Sequence, residues 1–431
     1  MKKILLFVCF LFIQLNLQAT QLNISENTPQ NTSANKAEKI NVFIYLDATD
    51  KDISPEQFSQ IVNFEKGLAL YPNFSENINF FVEAGGINSR VLRYKLKADK
   101  TDHKSISSPI LMDRGYANMS SWRELVSFVE WGTKISKADR NIFIINSHGS
   151  HFYTTRDGTL LWDHKFLIPP ADPRIPLTSS VSNLNMHEFT FAVSKIKKVL
   201  GKNLDIMLFD ACSQANLEML GQAYGTINYY VSSARPIASS GISYIELFKP
   251  ILENKHVNKI LYYLPTIKYD SETVAGVYNN NPFSVYKMKD FPQLASAMKN
   301  YLIAFDQLNP HQKNIIKNTL INDPRCLAQH HERKKDQPIG KVSAVIKISS
   351  FISCVQTSSA LVGLSEASEI RQSALILKKE FDKFISNNPN KELTITYFPE
   401  IIKDPIVLHD YKYLRFDRFV NWSQFMNYMV N

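Results

Sequence analysis

The chain has 431 residues, of which 44% are hydrophobic and 21% are charged, with 14 glycines and 19 prolines. This composition excludes collagen-like, low-complexity and wholly disordered proteins, and it predicts a globular protein with a sizeable core. The formal net charge of +9 is too small an excess over this length to indicate a nucleic-acid partner, and we expect none.

The first 19 residues have the pattern of a secretory signal. Lys2 and Lys3 precede an apolar run over residues 4–12, and a small-residue cleavage pattern ends at Ala19. The run is too short to cross a bilayer of about 30 Å, and no longer apolar stretch follows, so no membrane span is predicted. Residues 20–38 are typical of a flexible leader. We therefore expect an exported protein, secreted or periplasmic.

Short apolar runs alternate with helical patterns over the next 200 residues. Strands are predicted over residues 41–46, 78–82, 91–96, 141–145, 204–209 and 227–231, and helices over 55–70, 122–134 and 189–200. Asn185 and Glu188 are placed as an N-terminal cap pair of the third helix, and Gly201 as its stop. Strands joined through helices lie parallel, so this order predicts an α/β fold.

The last third of the chain is predicted to be mostly helical. Helices are expected over residues 291–305, 312–320 and 366–385, and strands over 393–397 and 413–416. No Gly/Ser-rich or Pro-rich linker separates this part from the preceding one. We therefore divide the chain into an α/β domain over residues 39–270 and a C-terminal lobe over 271–431 that packs on it.

Two reactive side chains follow two of the predicted strands. His148, with Gly149, comes after strand 141–145, and Cys212 comes after strand 204–209. A helical crossover makes these strands parallel, so both residues lie at one edge of the sheet. A thiolate attacks a carbonyl while an imidazole transfers protons, and the backbone N–H groups of Gly149 and Cys212 can bind the oxyanion. The sequence therefore predicts acyl transfer by a dyad of His148 and Cys212.

The segments around the dyad carry a family resemblance. Residues 141–149 (NIFIINSHG) and 206–218 (IMLFDACSQANLE) resemble the two active-site blocks of the clostripain-type cysteine peptidases, which are relatives of caspases, legumains and gingipains. Residues 42–47 and 414–425 add support. The resemblance implies a caspase-like three-layer α/β sandwich with a mostly parallel central sheet and a mostly helical C-terminal lobe. It also implies cleavage after Arg or Lys, with Asp210 facing the substrate P1 side chain.

Two stretches depart from the family pattern. Residues 150–152 (SHF) stand where relatives have several glycines and an aromatic residue, and residues 233–235 (SAR) stand where they have Ser-Glu-Glu. A carboxylate at Asp210 favours a cationic P1 side chain, but Arg235 would neutralise it if both faced one pocket. The candidate substrate-binding residues are therefore Asp210, Ser233 and Arg235. The alternative for Asp210 is a turn or cap residue.

The connection over residues 151–184 is long for a crossover and contains basic residues among prolines and serines. Relatives are cut in this region as they mature. We therefore hypothesise self-processing, with Lys165 and Arg174 as the candidate cleavage sites. The alternative is a plain surface loop.

Cysteine and metal patterns add two expectations. Cys9 leaves with the signal, and Cys326 and Cys354 are a candidate disulfide that is worth about 3 kcal/mol of chain entropy. No His, Cys and acidic residues have a familiar metal-ligand spacing, so we predict no metal site and no required cofactor. Calcium enters only through the family resemblance.

The sequence as a whole predicts an exported cysteine endopeptidase that acts as a monomer on peptide or protein substrates. One alternative is a catalytically inactive member of the same fold that binds a peptide or a partner protein. Another is an amidase or transpeptidase with the same dyad and a different acceptor.

Overall fold

The structure is a computed structural model of the chain. It describes residues 38–48, 54–71, 77–86, 90–99, 101, 105–147, 184, 186–235, 237, 242–253, 257–264, 283–322, 345–361, 368–385, 392–396 and 411–430. The signal and leader residues, and Asn185 of the predicted cap pair, lie outside these ranges.

A central sheet of eight strands runs through the protein. Its strands are β1 (Ile40–Ala48), β2 (Ile78–Gly86), β3 (Leu92–Lys95), β4 (Ile110–Asp113), β5 (Arg140–Asn146), β6 (Leu204–Asp210), β7 (Ile227–Ser233) and β8 (Phe283–Lys287). Their order is β4-β3-β2-β1-β5-β6-β7-β8. The five strands from β2 to β7 in this order are parallel, whereas β3, β4 and β8 form antiparallel pairs. The mostly parallel sheet that the sequence predicts is confirmed.

Helices pack on both faces of this sheet. They are α1 (Ser54–Ala69), α2 (Trp122–Ile135), α3 (Met186–Leu200), α4 (Leu217–Ala223), α5 (Tyr244–Leu252), α6 (Val257–Tyr263), α7 (Phe291–Asp306), α8 (Pro310–Asn322), α9 (Ile348–Leu361), α10 (Glu369–Phe384), α11 (Arg415–Val420) and α12 (Trp422–Val430). A second, small sheet pairs β9 (Val345–Lys347) with β10 (Thr394–Thr396).

Two hydrophobic clusters form because side chains alternate along the buried strands. On β1, Phe43 and Tyr45 belong to one cluster, and Val42 and Ile44 belong to the other. The first cluster includes α2, α3 and the C-terminal helices, and the second includes α1, α5 and α6. The sheet is thus the middle layer of three, as the resemblance implies.

The C-terminal part differs from the sequence prediction at two places. The strand expected over residues 413–416 is wrong, because these residues form a turn and the start of α11. Phe416 and Val420 are fully buried and lie four residues apart, which is helical spacing. β8 pairs with β7 at the sheet edge, so the central sheet takes a strand from the region we assigned to the C-terminal lobe.

Candidate active site

The site lies where β5 and β6 end. These neighbouring parallel strands pair from Ile142 and Ile206 to Asn146 and Asp210, so that residues 64 positions apart face each other. The crossover between them runs through α3. The ends of both strands therefore open on one sheet edge, as the sequence predicts.

The loop that follows β6 carries Cys212 and is held by β7. The N–H of Ser213 donates to the carbonyl of Arg235 over 3.0 Å, and the N–H of Ala215 donates to the carbonyl of Ser233 over 2.8 Å. Ser213 has a φ of 57°, a left-handed conformation that non-glycine residues rarely adopt. Asn216 then caps α4, because its side-chain oxygen accepts from the N–H of Met219 over 2.8 Å. These bonds fix the backbone around the cysteine.

The thiol of Cys212 is half-buried and is not part of a disulfide. Its Sγ accepts a hydrogen bond from the N–H of Ile237 over 3.3 Å and lies 3.8 Å from the carbonyl oxygen of the same residue. A backbone donor aimed at sulfur stabilises negative charge on it. The chain that leaves β7 therefore runs directly beside the thiol.

Asp210 is 2% exposed and is bound through one carboxylate oxygen. Its Oδ2 accepts from Nδ2 of Asn146 and from the hydroxyl of Tyr244, each over 2.8 Å, and from the N–H of Ile242 over 3.4 Å. Its Oδ1 is buried and has no hydrogen-bond partner in the part of the chain that the structure describes. Burial raises the pKa of Asp210 from 3.8 to about 6, although the three donors act in the opposite direction.

Ser233 and Arg235 lie beside the loop that carries Cys212, and each has hydrogen-bond partners of its own. Ser233 is fully buried, and its hydroxyl donates to the carbonyl of Arg235 over 2.9 Å and accepts from its N–H over 2.9 Å. The guanidinium of Arg235 binds both carboxylate oxygens of Glu392. The sequence leaves open whether Arg235 neutralises Asp210. In the structure, the Arg235 side chain binds Glu392 and makes no hydrogen bond to Asp210.

Glu392 is a site neighbour that the sequence does not reveal. It is 5% exposed, and its Oε1 also accepts from Nζ of Lys347 over 3.1 Å. Burial alone would raise the pKa of Glu392, but the bonds from Arg235 and Lys347 outweigh it and hold the pKa below its usual value. Tyr286 donates its hydroxyl to the Glu392 carbonyl.

Segments of the C-terminal part also hold the loop that carries Cys212. The N–H and the hydroxyl of Thr394 both donate to the carbonyl of Ala215 over 3.1 Å. In α4, the fully buried Glu218 accepts from the N–H of Thr396 and the hydroxyl of Tyr411, each over 2.8 Å. Residues near the end of the chain are thus part of the structure that supports Cys212.

Several predicted site residues lie outside the described ranges, namely His148, Gly149, Lys165, Arg174 and Cys326. Cys354 is disulfide-bonded, and its pairing with Cys326 stays a prediction. Among the described residues no group of three or more His, Cys, Asp or Glu side chains gathers as metal ligands would. None of the helices in the described ranges is long and apolar enough to cross a membrane.

A free thiol on a loop at the C-terminal edge of a mostly parallel sheet, between helical layers, is the arrangement that the resemblance to caspase-like cysteine peptidases implies. The family model of the clostripain family, peptidase C11, matches residues 30–428. The chain therefore belongs to the clostripain family and is a cysteine endopeptidase that acts on peptides. No curated protein matches its sequence.

Solved structures share the fold at low sequence identity. A secreted C11 cysteine protease from Bacteroides thetaiotaomicron, iotapain, is 12% identical, with 84% of this chain and 94% of that one covered and a TM-score of 0.57. A secreted C11 protease of the same species in complex with an irreversible peptide inhibitor is 14% identical, covering 89% and 99%, with a TM-score of 0.57. An inactive zymogen C11 protease from Parabacteroides distasonis is 16% identical, covering 89% and 99%, with a TM-score of 0.56.

Proposed function

We propose that this peptidase uses Cys212 as its nucleophile and His148 as its general base and acid. The observation that carries the proposal is the register of the two strands, in which Asn146 faces Asp210. His148 and Cys212 each follow their facing residue by two positions. Neighbouring strands are about 4.8 Å apart, and equal steps beyond a facing pair support the proposal that the imidazole acts on the thiol.

The reaction then follows from these groups. The Cys212 thiolate attacks the scissile carbonyl, and the backbone N–H groups of Gly149 and Cys212 bind the oxyanion. The C–N bond breaks as the imidazolium of His148 gives its proton to the leaving amine, which leaves a thioester. Water attacks the thioester while His148 takes one of its protons. Release of the carboxylic acid restores the thiol.

We also propose Arg or Lys as the P1 residue. Asp210 precedes the nucleophile by two residues, and its Oδ1 accepts no hydrogen bond among the described residues. Above a pH of about 6 this carboxyl is ionised, which favours a cationic side chain through a charge-assisted bond. Arg235 does not compete, since its guanidinium is bound to Glu392.

Export and self-processing complete the proposal. Lys2, Lys3 and the following apolar run support export, and two similar proteins are described as secreted. Cleavage after Lys165 or Arg174 is supported by the P1 preference and by the zymogen form of another similar protein. Wild type and Cys212→Ala, expressed side by side and measured by intact mass, test the processing. An active wild type that remains uncut contradicts it.

The catalytic proposal is tested with fluorogenic peptides that differ only at P1. Wild type should cleave after Arg and Lys, and both Cys212→Ala and His148→Ala should lose at least about a thousandfold in kcat/KM. Ser213→Ala, which leaves the thiol in place, is the matched control in the same loop. Turnover by Cys212→Ala would overturn the dyad, and peptide binding without turnover by wild type would indicate an inactive binding protein.

A further inference from the structure

The Asp210 carboxylate is held in a one-sided way. Its three donors come from different places, namely Asn146 at the end of β5, Ile242 before α5 and Tyr244 in the first turn of α5, and all three bind Oδ2. Its Oδ1 is equally buried and accepts none among the described residues. A carboxylate has acceptor capacity on both oxygens, so this arrangement leaves half of that capacity for another donor.

Tyr244 is fixed both in position and in the direction of its proton. Its ring is 3% exposed and packs against Phe64, with ring centroids 4.5 Å apart, and against Phe248 at 6.0 Å. Nδ2 of Asn146 donates to the Tyr244 oxygen over 3.3 Å. Because that contact occupies the oxygen as an acceptor, the hydroxyl proton points to Asp210.

We propose that Tyr244 and Asn146 are positioning residues that hold Asp210 by one oxygen and present the other to the cationic P1 side chain. This inference rests on the proposed P1 role of Asp210. A guanidinium or ammonium group that reaches Oδ1 completes the hydrogen bonding of a buried carboxylate, whereas an uncharged isostere gives a weaker bond. Tyr244 thereby sets the preference for Arg and Lys without touching the scissile bond.

The same contact controls the charge of Asp210. Burial raises the pKa of Asp210 to about 6, and among the groups that lower this pKa the Tyr244 hydroxyl has the largest effect. Tyr244 is the titratable group that contacts Asp210 among the described residues, and burial raises its own pKa, so it stays neutral. Without its hydroxyl, the pKa of Asp210 rises further. A rise of about one pH unit lowers the ionised fraction at pH 6 about fivefold.

The test compares a P1 Arg peptide with the same peptide carrying citrulline, its uncharged isostere. In Tyr244→Phe, the Arg-to-citrulline ratio of kcat/KM at pH 6 should fall about fivefold, and the acid limb for the Arg peptide should move to higher pH. The kcat/KM of the citrulline peptide should stay within about twofold. Asn146→Ala should change the ratio in the same direction, which provides a second variant.

Tyr45→Phe is the matched control. Tyr45 is also a buried tyrosine, and its hydroxyl donates to the carbonyl of Met119 over 2.6 Å, away from Asp210. It should lose stability while its Arg-to-citrulline ratio stays at the wild-type value. An equal loss on both peptides in Tyr244→Phe overturns the positioning role if Asp210→Asn still lowers the ratio. An unchanged ratio in Asp210→Asn overturns the P1 role itself, and the positioning role with it.

Discussion

Arg235 and Glu392, which are 157 positions apart in the sequence, form a bidentate ion pair. Arg235 directly follows β7, and its carbonyl accepts from the N–H of Ser213, the neighbour of Cys212. Glu392 lies two residues before β10, whose first residue binds the loop of Cys212 at Ala215. The pair therefore joins two segments that both hold the backbone around Cys212.

Replacing Glu392 should weaken this connection in a pH-dependent way. The pKa of Glu392 is lowered in the folded protein, so its contribution is present above the ordinary carboxyl pKa and is lost as the pH falls through the folded value. Glu392→Gln should lower the free energy of unfolding by about 1–2 kcal/mol at pH 7, because Arg235 is 46% exposed and partly screened. The measurement is urea denaturation at pH 7 and pH 3.

The difference between wild type and Glu392→Gln should shrink toward zero at pH 3. Asp382→Asn is the control, since Asp382 pairs with Lys378 on an exposed helix face and should contribute less than about 0.5 kcal/mol. If the difference in unfolding free energy between wild type and Glu392→Gln is the same at both pH values, the charge of the Glu392 carboxylate does not stabilise the fold.

Arg93 should contribute far more to the free energy of unfolding than its near neighbour Arg90. Arg93 is 1% exposed and binds both Glu83 and Glu124. Burial raises the pKa of Glu83, and the charge of Arg93 acts in the opposite direction. Arg93→Met removes the shared partner of two buried carboxyl groups and should cost about 3–5 kcal/mol of unfolding free energy.

Arg90→Met is the comparison for this cluster. Arg90 pairs with Asp113 at the surface, with side chains 52% and 40% exposed. Its loss should leave the unfolding free energy close to the wild-type value, because solvent screens this exposed pair. Similar losses in the two variants, measured by thermal and urea denaturation, would contradict the distinction between the buried and the exposed pair.

Gly221 in α4 should not tolerate a methyl group. A Cβ built on Gly221 would lie 2.6 Å from Cβ and 2.8 Å from Cα of Phe416, and backbone cannot move aside as a side chain can. Gly221→Ala should lower the free energy of unfolding by about 1–3 kcal/mol, despite the better helix propensity of alanine. Because α4 follows the loop that carries Cys212, the proposed nucleophile, kcat/KM should fall as well.

Gly67 in α1 provides the matched helical glycine. The atom nearest to its Cβ would be Cγ1 of the Ile245 side chain, at 3.1 Å, and the Ile245 backbone would lie at an ordinary contact distance of 3.8 Å. The gain in helix propensity should therefore roughly offset the crowding. Gly67→Ala should therefore stay within about 1 kcal/mol of wild type. A Gly221→Ala protein as stable as Gly67→Ala would show that α4 and α11 do not pack this closely.

Asp210 should make the protein less stable as the pH rises. Its pKa is raised from 3.8 to about 6, so its favourable contribution is complete below the unfolded value and is lost between these two pH values. Relative to Asp210→Asn, wild type should lose about 3 kcal/mol of unfolding free energy between pH 3.5 and pH 7. A relative stability that increases over this interval would show that the carboxylate is better stabilised than burial and its three donors suggest.

The sequence predicts the central strands well because strands buried on both faces are continuous apolar runs. β4 lacks this signal, since it has four residues and most of them are exposed. The run around residues 413–416 is apolar for a different reason, because Leu414 and Phe416 pack at the start of a helix. Short apolar runs therefore identify the central strands of the sheet, but they identify neither its edge strands nor the helices that pack around it.

The site is predictable only where its residues follow strands. Asp210 and Cys212 follow from the strand pattern and the family resemblance, but Glu392 and Tyr244 carry no such signal. Each is an isolated polar residue in its segment, and its role depends on a contact with a residue 157 or 34 positions away. Periodicity reports local structure, so contacts at such separations require coordinates.

The hydrogen-bond ladder between β5 and β6 determines which of their residues face each other. The length of the chain that connects the two strands does not determine this pairing. A change in the length of that connection outside α3, whose Phe189, Val193 and Ile196 are buried in the core, should leave the facing pair in place, because backbone hydrogen bonds hold the strand ends. A slip of the ladder by one residue would instead misalign the ends even if every residue were retained. The length of the connection outside α3 is therefore less constrained in evolution than the pairing of the two strands.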